Sequence, residues 1–200
     1  MTSMQRRAFG RLAAASICAA ALLFLAGCQA TGAASANERL DQSTGLTLTT
    51  ANEVMVFART EPRYSRSARD YIYLGPVETN RQGLREHFLW VGIATTLDRG
   101  YLAPPIDLPE SLQVMVQGEP MVFDLLPWTQ TVPGLAPAKV YPTSVTLQGQ
   151  LGARATRDQL QLLAVAAPSS IRVRMPDGQL RAYESRADAV NWTILGTRSD

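Results

Sequence analysis

The chain has 200 residues, with 19 Lys and Arg against 17 Asp and Glu, a formal charge of +2. A hydrophobic content of 46% excludes a disordered chain. The near balance of charge excludes a general nucleic-acid binder, which carries a clustered basic surplus.

The amino terminus reads as a targeting segment. Residues 1–11 carry Arg6, Arg7 and Arg11 and no acid, and residues 12–27 carry no charge. Those sixteen apolar residues reach about 24 Å as a helix, short of the roughly 30 Å hydrocarbon core. The run stops at Leu25-Ala26-Gly27-Cys28. A basic stretch, a short apolar stretch and a small-residue cleavage site make a secretory signal. The tetrapeptide resembles the lipobox of bacterial lipoproteins. By that resemblance the chain is cut between Gly27 and Cys28, the Cys28 thiol receives a diacylglycerol, and the new amino group is acylated. Two or three acyl chains anchor stably, at about 0.8 kcal/mol per buried methylene, where one does not. In that family an Asp after the cysteine retains the protein in the inner membrane. Gln29 stands here, which implies the outer membrane, facing the periplasm. Arg6-Arg7-Ala8-Phe9 is also similar to a twin-arginine export signal. Gln5 and Gly10 depart from that pattern, so the general secretory route is expected. Loss of residues 1–27 leaves 16 basic residues against 17 acidic ones and removes Cys18. With Cys28 acylated, no disulfide can form, and stability rests on the core.

Residues 28–45 are small and polar after the cysteine and are expected to be a flexible tether. Residues 46–200 suit a single β-rich domain. Leu46–Thr50 alternates, Glu53–Arg59 is a short apolar run, and Asp70–Glu78 mixes aromatic and aliphatic residues around a kink or bulge at Gly75-Pro76. Arg85–Leu97 is apolar on both alternating faces, as in a strand buried on both sides. Ser111–Val116 and Met121–Leu126 flank a turn at Gln117–Pro120. Residues 98–110 and 127–142, rich in proline, read as loops. Val145–Leu151 alternates as a half-buried strand. Thr156-Arg157-Asp158-Gln159 matches a capping box, and Leu160, Leu163 and Ala164 follow on one helical face until Pro168. Ile171, Val173 and Met175 alternate with Arg172 and Arg174 before a turn at Pro176-Asp177-Gly178, and Leu180–Glu184 returns. Asp188–Leu195 fits a short helix or a last strand. The expected fold is mainly β, an antiparallel β-sandwich with one inserted helix; a small α+β sheet with the helix on one face is the alternative.

No catalytic signature stands out. His87, the single histidine, sits in a strand pattern with no nucleophile or carboxylate placed by spacing. One His and no usable Cys make a zinc site poor, and no cofactor or metal is expected. Lys139 lies near Ser144 without a Ser–Lys motif. Asp98, Asp107, Glu110, Glu119 and Asp124 are scattered acids, two of which could meet as a hydrolase pair. Trp90, Trp128 and Trp192 are expected in core or rim packing rather than as a carbohydrate platform, with Trp90 the most clearly buried and Trp128, in a loop after Pro127, the one open to exposure. Asn191-Trp192-Thr193 matches a glycosylation sequon by coincidence.

The richest local composition is Arg59–Tyr73, which holds Arg59, Arg63, Arg66 and Arg69 with Tyr64, Tyr71 and Tyr73. Arginine and tyrosine are favoured at interfaces, and clustered guanidinium groups hold phosphate or carboxylate. The candidate partner-binding residues are therefore Arg59, Arg63, Tyr64, Arg66 and Arg69. The expected protein is an outer-membrane lipoprotein whose periplasmic β domain is a non-enzymatic binding, assembly or secretion accessory module, meeting an envelope protein or an anionic ligand. An envelope hydrolase using a loop carboxylate pair is the alternative.

Overall fold

The computed structural model describes residues 36–97, 107–135, 140–186 and 192. The signal, Gly27 and Cys28 lie outside the described residues, as do Asp98, Lys139, and Asp188–Leu195 apart from Trp192. The described chain forms β1 (Asn37–Asp41), β2 (Leu46–Thr50), β3 (Met55–Thr60), β4 (Arg69–Arg81), β5 (Leu84–Thr95), β6 (Ser111–Val116), β7 (Glu119–Asp124) and β8 (Leu126–Pro127). A single-turn helix α1 (Trp128–Thr131), β9 (Leu147–Arg154), α2 (Arg157–Ala166), β10 (Ser170–Arg174) and β11 (Leu180–Ser185) follow.

The strands join antiparallel in one sheet, in the order β7-β6-β10-β11-β3-β4-β5-β9-β8, with β2 beside β4 and β1 beside β2. The two ends of that order, β7 and β8, are separated in sequence by Leu125 alone. One residue spans at most about 3.6 Å, so the sheet curls until its edges lie next to each other. The mainly β, antiparallel class expected from the sequence is found. Its two facing parts belong to one curled sheet, not to two separate ones.

Burial follows the pleat. In β10, Ile171 and Val173 are buried and Arg172 and Arg174 exposed. In β5 every residue from Phe88 to Thr95 is buried. Phe88 meets Trp128 edge-on at 6.3 Å, and Trp90 meets Tyr141 at 5.1 Å. Leu89, Val91 and Ile93 fill the opposite face of the strand. Helix α2 starts with the predicted reciprocal cap: Gln159 N–H donates to Thr156 Oγ1 at 3.1 Å, and Thr156 N–H to Gln159 Oε1 at 2.8 Å. It buries Leu160 and Leu163 completely, each worth about 1.5–3 kcal/mol of transfer free energy.

Four expectations need correction. Asn37–Asp41, assigned to the tether, form β1, so the sheet starts before Leu46. This strand is polar and largely exposed, so its order comes from pairing with β2 and leaves no apolar period to read. Gly75-Pro76 makes no bulge, because the β4–β5 register runs unbroken through Gly75–Trp90 and Pro76–Leu89. The β6–β7 turn is only Gln117-Gly118, with φ of 52° and 90°, the left-handed pair of a tight hairpin. Glu119 and Pro120 therefore belong to β7, an end strand that tolerates a missing N–H. Trp128, read as lying in a loop, opens α1 instead, and at 2% exposure it packs in the core as the core-or-rim reading expects. Gly152 makes room for it, since a Cβ there would stand 2.7 Å from the indole.

Candidate binding cleft

Strands β3 and β11 share only two residue pairs, Ala58–Glu184 and Phe57–Ser185. Past Ala58, β3 stays with β4 through Arg59–Asp70 and Thr60–Arg69. β11 stays with β10 through Val173–Arg181 and Arg174–Leu180. The two strands part, and a cleft of about 390 Å³ opens between them. Arg59, Glu61, Pro62, Arg63 and Tyr64 line one side, and Gln179 and Arg181 the other.

The loop after β3 is tied to itself. Glu61 N–H donates to Ala68 O at 3.1 Å, Tyr64 N–H to Glu61 O at 3.1 Å, and Ala68 N–H to Ser65 O at 3.1 Å. The Arg69 guanidinium donates to the carbonyls of Arg66 and Ala68 at 2.8 and 2.9 Å. Arg69 thus closes the loop and does not line the cleft. Arg66 is exposed and also stands off the cleft lining.

Three guanidinium groups face one carboxylate in the cleft. Arg59 pairs with Glu61 at 3.2 Å. The side chains of Arg63 and Arg181 form no ion pair or hydrogen bond among the described residues. Tyr183, 3% exposed, lies within electrostatic reach of Arg59, Glu61, Asp70 and Arg181. Burial, reinforced by the Asp70 charge, pushes its hydroxyl up to about 12, while Arg59 and Arg181 pull the other way. Tyr183 is therefore neutral at ordinary pH, and the cleft keeps its positive excess. Tyr64, 42% exposed, adds an aromatic surface at the rim. A cleft this size, with convergent polar groups, suits a small ligand or a few side chains of a partner. Its chemistry favours carboxylate or phosphate oxygens, which planar guanidinium groups engage in pairs.

Of the five residues predicted for partner binding, Arg59, Arg63 and Tyr64 come together; Arg66 and Arg69 do not join them. Tyr71 and Tyr73 stack on each other at 6.2 Å along β4. Sequence reasoning missed Glu61, Gln179 and Arg181 as site residues. The hairpin carrying Arg181 was legible, but its place beside β3 depends on pairing between segments more than a hundred residues apart.

The remaining candidates sit elsewhere. His87 faces Glu78 across β4–β5 at 3.3 Å. Glu119 and Asp124 stand at opposite ends of β7, roughly 17 Å apart along the strand, beyond the roughly 5–9.5 Å of a hydrolase pair. Ser144 Oγ lies 3.4 Å from the Tyr73 hydroxyl. Among the described residues, no group of three His, Cys, Asp or Glu could hold a metal ion, and no helix is long and apolar enough to cross a membrane.

Comparison with protein-family models, with curated proteins and with solved structures found no match.

Proposed function

We propose that this chain is an envelope lipoprotein, held to the outer membrane by acylated Cys28, whose periplasmic domain is a non-enzymatic binding or assembly module. The lipobox resemblance at Leu25–Cys28 supports the anchor. One observation supports the binding role above the rest: Arg59, Arg63 and Tyr64 from one segment meet Arg181 from another across an open cleft. Among the described residues Arg63 and Arg181 have no ion-pair partner, and desolvating unpaired charge is costly unless a counter-charge arrives. The partner is therefore anionic, either a protein presenting acidic side chains or a ligand bearing phosphate or carboxylate. Anchoring confines the domain near such partners and raises its effective concentration toward them.

Two variants test the halves of this reading separately. Cys28→Ser should release the protein from the membrane fraction; unchanged fractionation would defeat the anchor. Arg63→Glu with Arg181→Glu should abolish partner recovery in an intact-cell crosslinking pulldown while circular dichroism and the unfolding midpoint stay put. Unchanged recovery would remove the cleft as the interface.

A further inference from the structure

We infer that the cleft takes an extended segment of a partner protein, with acidic and apolar residues in alternation, which adds as a strand where β3 and β11 part. The inference rests on the proposed binding role of the cleft and deepens it, naming the class of partner and the way it is held.

Four backbone hydrogen bonds fix which groups of each strand face the gap. In the β10–β11 hairpin, Ser185 N–H donates to Ser169 O at 2.7 Å and Met175 N–H to Gln179 O at 2.9 Å. Hydrogen-bonded pairs recur at every second residue of an antiparallel ladder. Arg181, Tyr183 and Ser185 therefore turn their N–H and C=O groups to β10, and Leu180, Ala182 and Glu184 turn theirs to β3. On the other side Arg186 N–H donates to Val56 O at 2.8 Å, and Glu61 N–H to Ala68 O, next to β4, at 3.1 Å. Val56, Ala58 and Thr60 therefore face β11. The ladder uses Ala58–Glu184. The next pair in the same register is Thr60–Ala182, and the β3–β11 ladder does not include it. Both residues are exposed. Thr60, Ala182 and Leu180 thus present ladder-forming groups to the cleft.

The other edges of the sheet are blunted. β7 carries Pro120, which has no N–H to offer, and β8 is two residues long and ends in Pro127. β1 is short and carries Glu38, Arg39 and Asp41. Proline, charge and shortness are what keep an edge from pairing with another chain. The gap-facing residues Thr60, Leu180 and Ala182 carry neither proline nor charge. An extended peptide added to such an edge is held by its main chain, and its side chains select it.

Those side chains alternate between two faces. Arg181 shares the core-facing side of β11 with buried Tyr183, while Leu180, 49% exposed, and Ala182 point outward. A seated segment therefore turns acidic side chains toward Arg181 and Arg63 and apolar ones toward Leu180. β3 and β11 run antiparallel, so any strand between them is antiparallel to one of the two. Residues that hydrogen-bond opposite Ala182 or Thr60 share their outer face, so the apolar positions supply the ladder N–H groups.

The probe is a fluorescein-labelled, C-terminally amidated nine-residue peptide alternating Val and Glu, titrated by anisotropy against the full-length protein extracted from membranes. It should bind, and methylating its Val nitrogens, which keeps every carboxylate, should abolish binding. Ala182→Pro removes an N–H that faces the gap and not β10, and should weaken binding about tenfold, the worth of one hydrogen bond. Arg63→Gln with Arg181→Gln should weaken it further. Circular dichroism checks that the variants fold, and the methylated peptide tests the parent protein whether they fold or not. Equal binding of the methylated peptide, or full affinity in folded Ala182→Pro, overturns strand addition and leaves a site for small anions. Absence of peptide binding overturns it as well. The cleft reading fails separately, if partner recovery from intact cells ignores Arg63→Glu and Arg181→Glu.

Discussion

Two gaps in the described sheet, one along β4 and one between β3 and β11, are treated in opposite ways. Along β4 the flanking partner changes from β3, which ends its pairing at Leu74, to β2, which begins at Val77. Gly75 and Pro76 lie between, and Tyr141 plugs the space. Its hydroxyl accepts from Ala51 N–H at 3.1 Å and donates to the Pro76 carbonyl. Pro76 has no N–H to satisfy, and Gly75 has no Cβ, which would otherwise sit 2.5 Å from the Tyr141 ring. Between β3 and β11 the ladder also stops, but nothing seals it. Arginines line that gap, and two of them, Arg63 and Arg181, form no ion pair among the described residues. The first gap is built for stability and the second for access. The contrast between a break closed by a single tyrosine and one left open and charged is what supports the proposal that the open one is the site.

Tyr141→Phe should be the most damaging change at the sealed gap. It leaves a buried N–H and a buried carbonyl without their partner, a cost of about 2–4 kcal/mol, read as a lower urea midpoint. A midpoint within error of the parent would show that the plug is ornamental.

High pH compares the two gaps through their buried tyrosines. Burial raises the pKa of Tyr141 as well as that of Tyr183. A group whose folded pKa is raised stabilises fully below its unfolded pKa, near 10, and loses that contribution as pH rises beyond it. Each tyrosine should thus lower stability by up to about 1.4 kcal/mol per pH unit above pH 10, with Tyr183 exhausted near 12. Unfolding midpoints between pH 9 and 11 measure this. Tyr183→Phe should flatten its share of the slope, and an unchanged slope would refute the burial account.

Gly75→Ala forces the Tyr141 ring to move and should cost about 1–3 kcal/mol. Combined with Tyr141→Phe, it should cost less than the sum, since both act on one contact. At the open gap, Arg69→Ala should cost about 1 kcal/mol, for two neutral carbonyl bonds on an exposed loop, and should speed proteolysis within 61–68. The smallest stability effect is expected from Arg63→Gln with Arg181→Gln, within about 0.5 kcal/mol, although partner recovery should fall. A large loss of stability there would place these arginines in the fold and not at an interface.

Most of the strand order along the chain was legible because burial alternates with the pleat, as in Ile171–Met175, and because turn and cap residues sit where their chemistry is needed. The capping box at Thr156 was readable to the atom. The closure of the sheet was not, because nothing local says that β7 and β8 are opposite edges brought together by Leu125. β1 was hidden for another reason: a polar strand held by backbone pairing alone has no apolar signature. At the site, Arg59, Arg63 and Tyr64 stood out as one cluster in sequence. Arg66 and Arg69 looked equivalent to them, yet one projects away and the other spends its donors on loop carbonyls. Arg181 became visible only once β11 was seen beside β3.

The most direct test of the open gap as the site is photocrosslinking in intact cells from a reactive residue placed at Tyr64, with Val122 on the exposed face of β7 as the control position. Adducts from position 64 that vanish with Arg63→Glu and Arg181→Glu, with none of that dependence at position 122, are the expected result. Identical adducts with and without the charge reversals would contradict it.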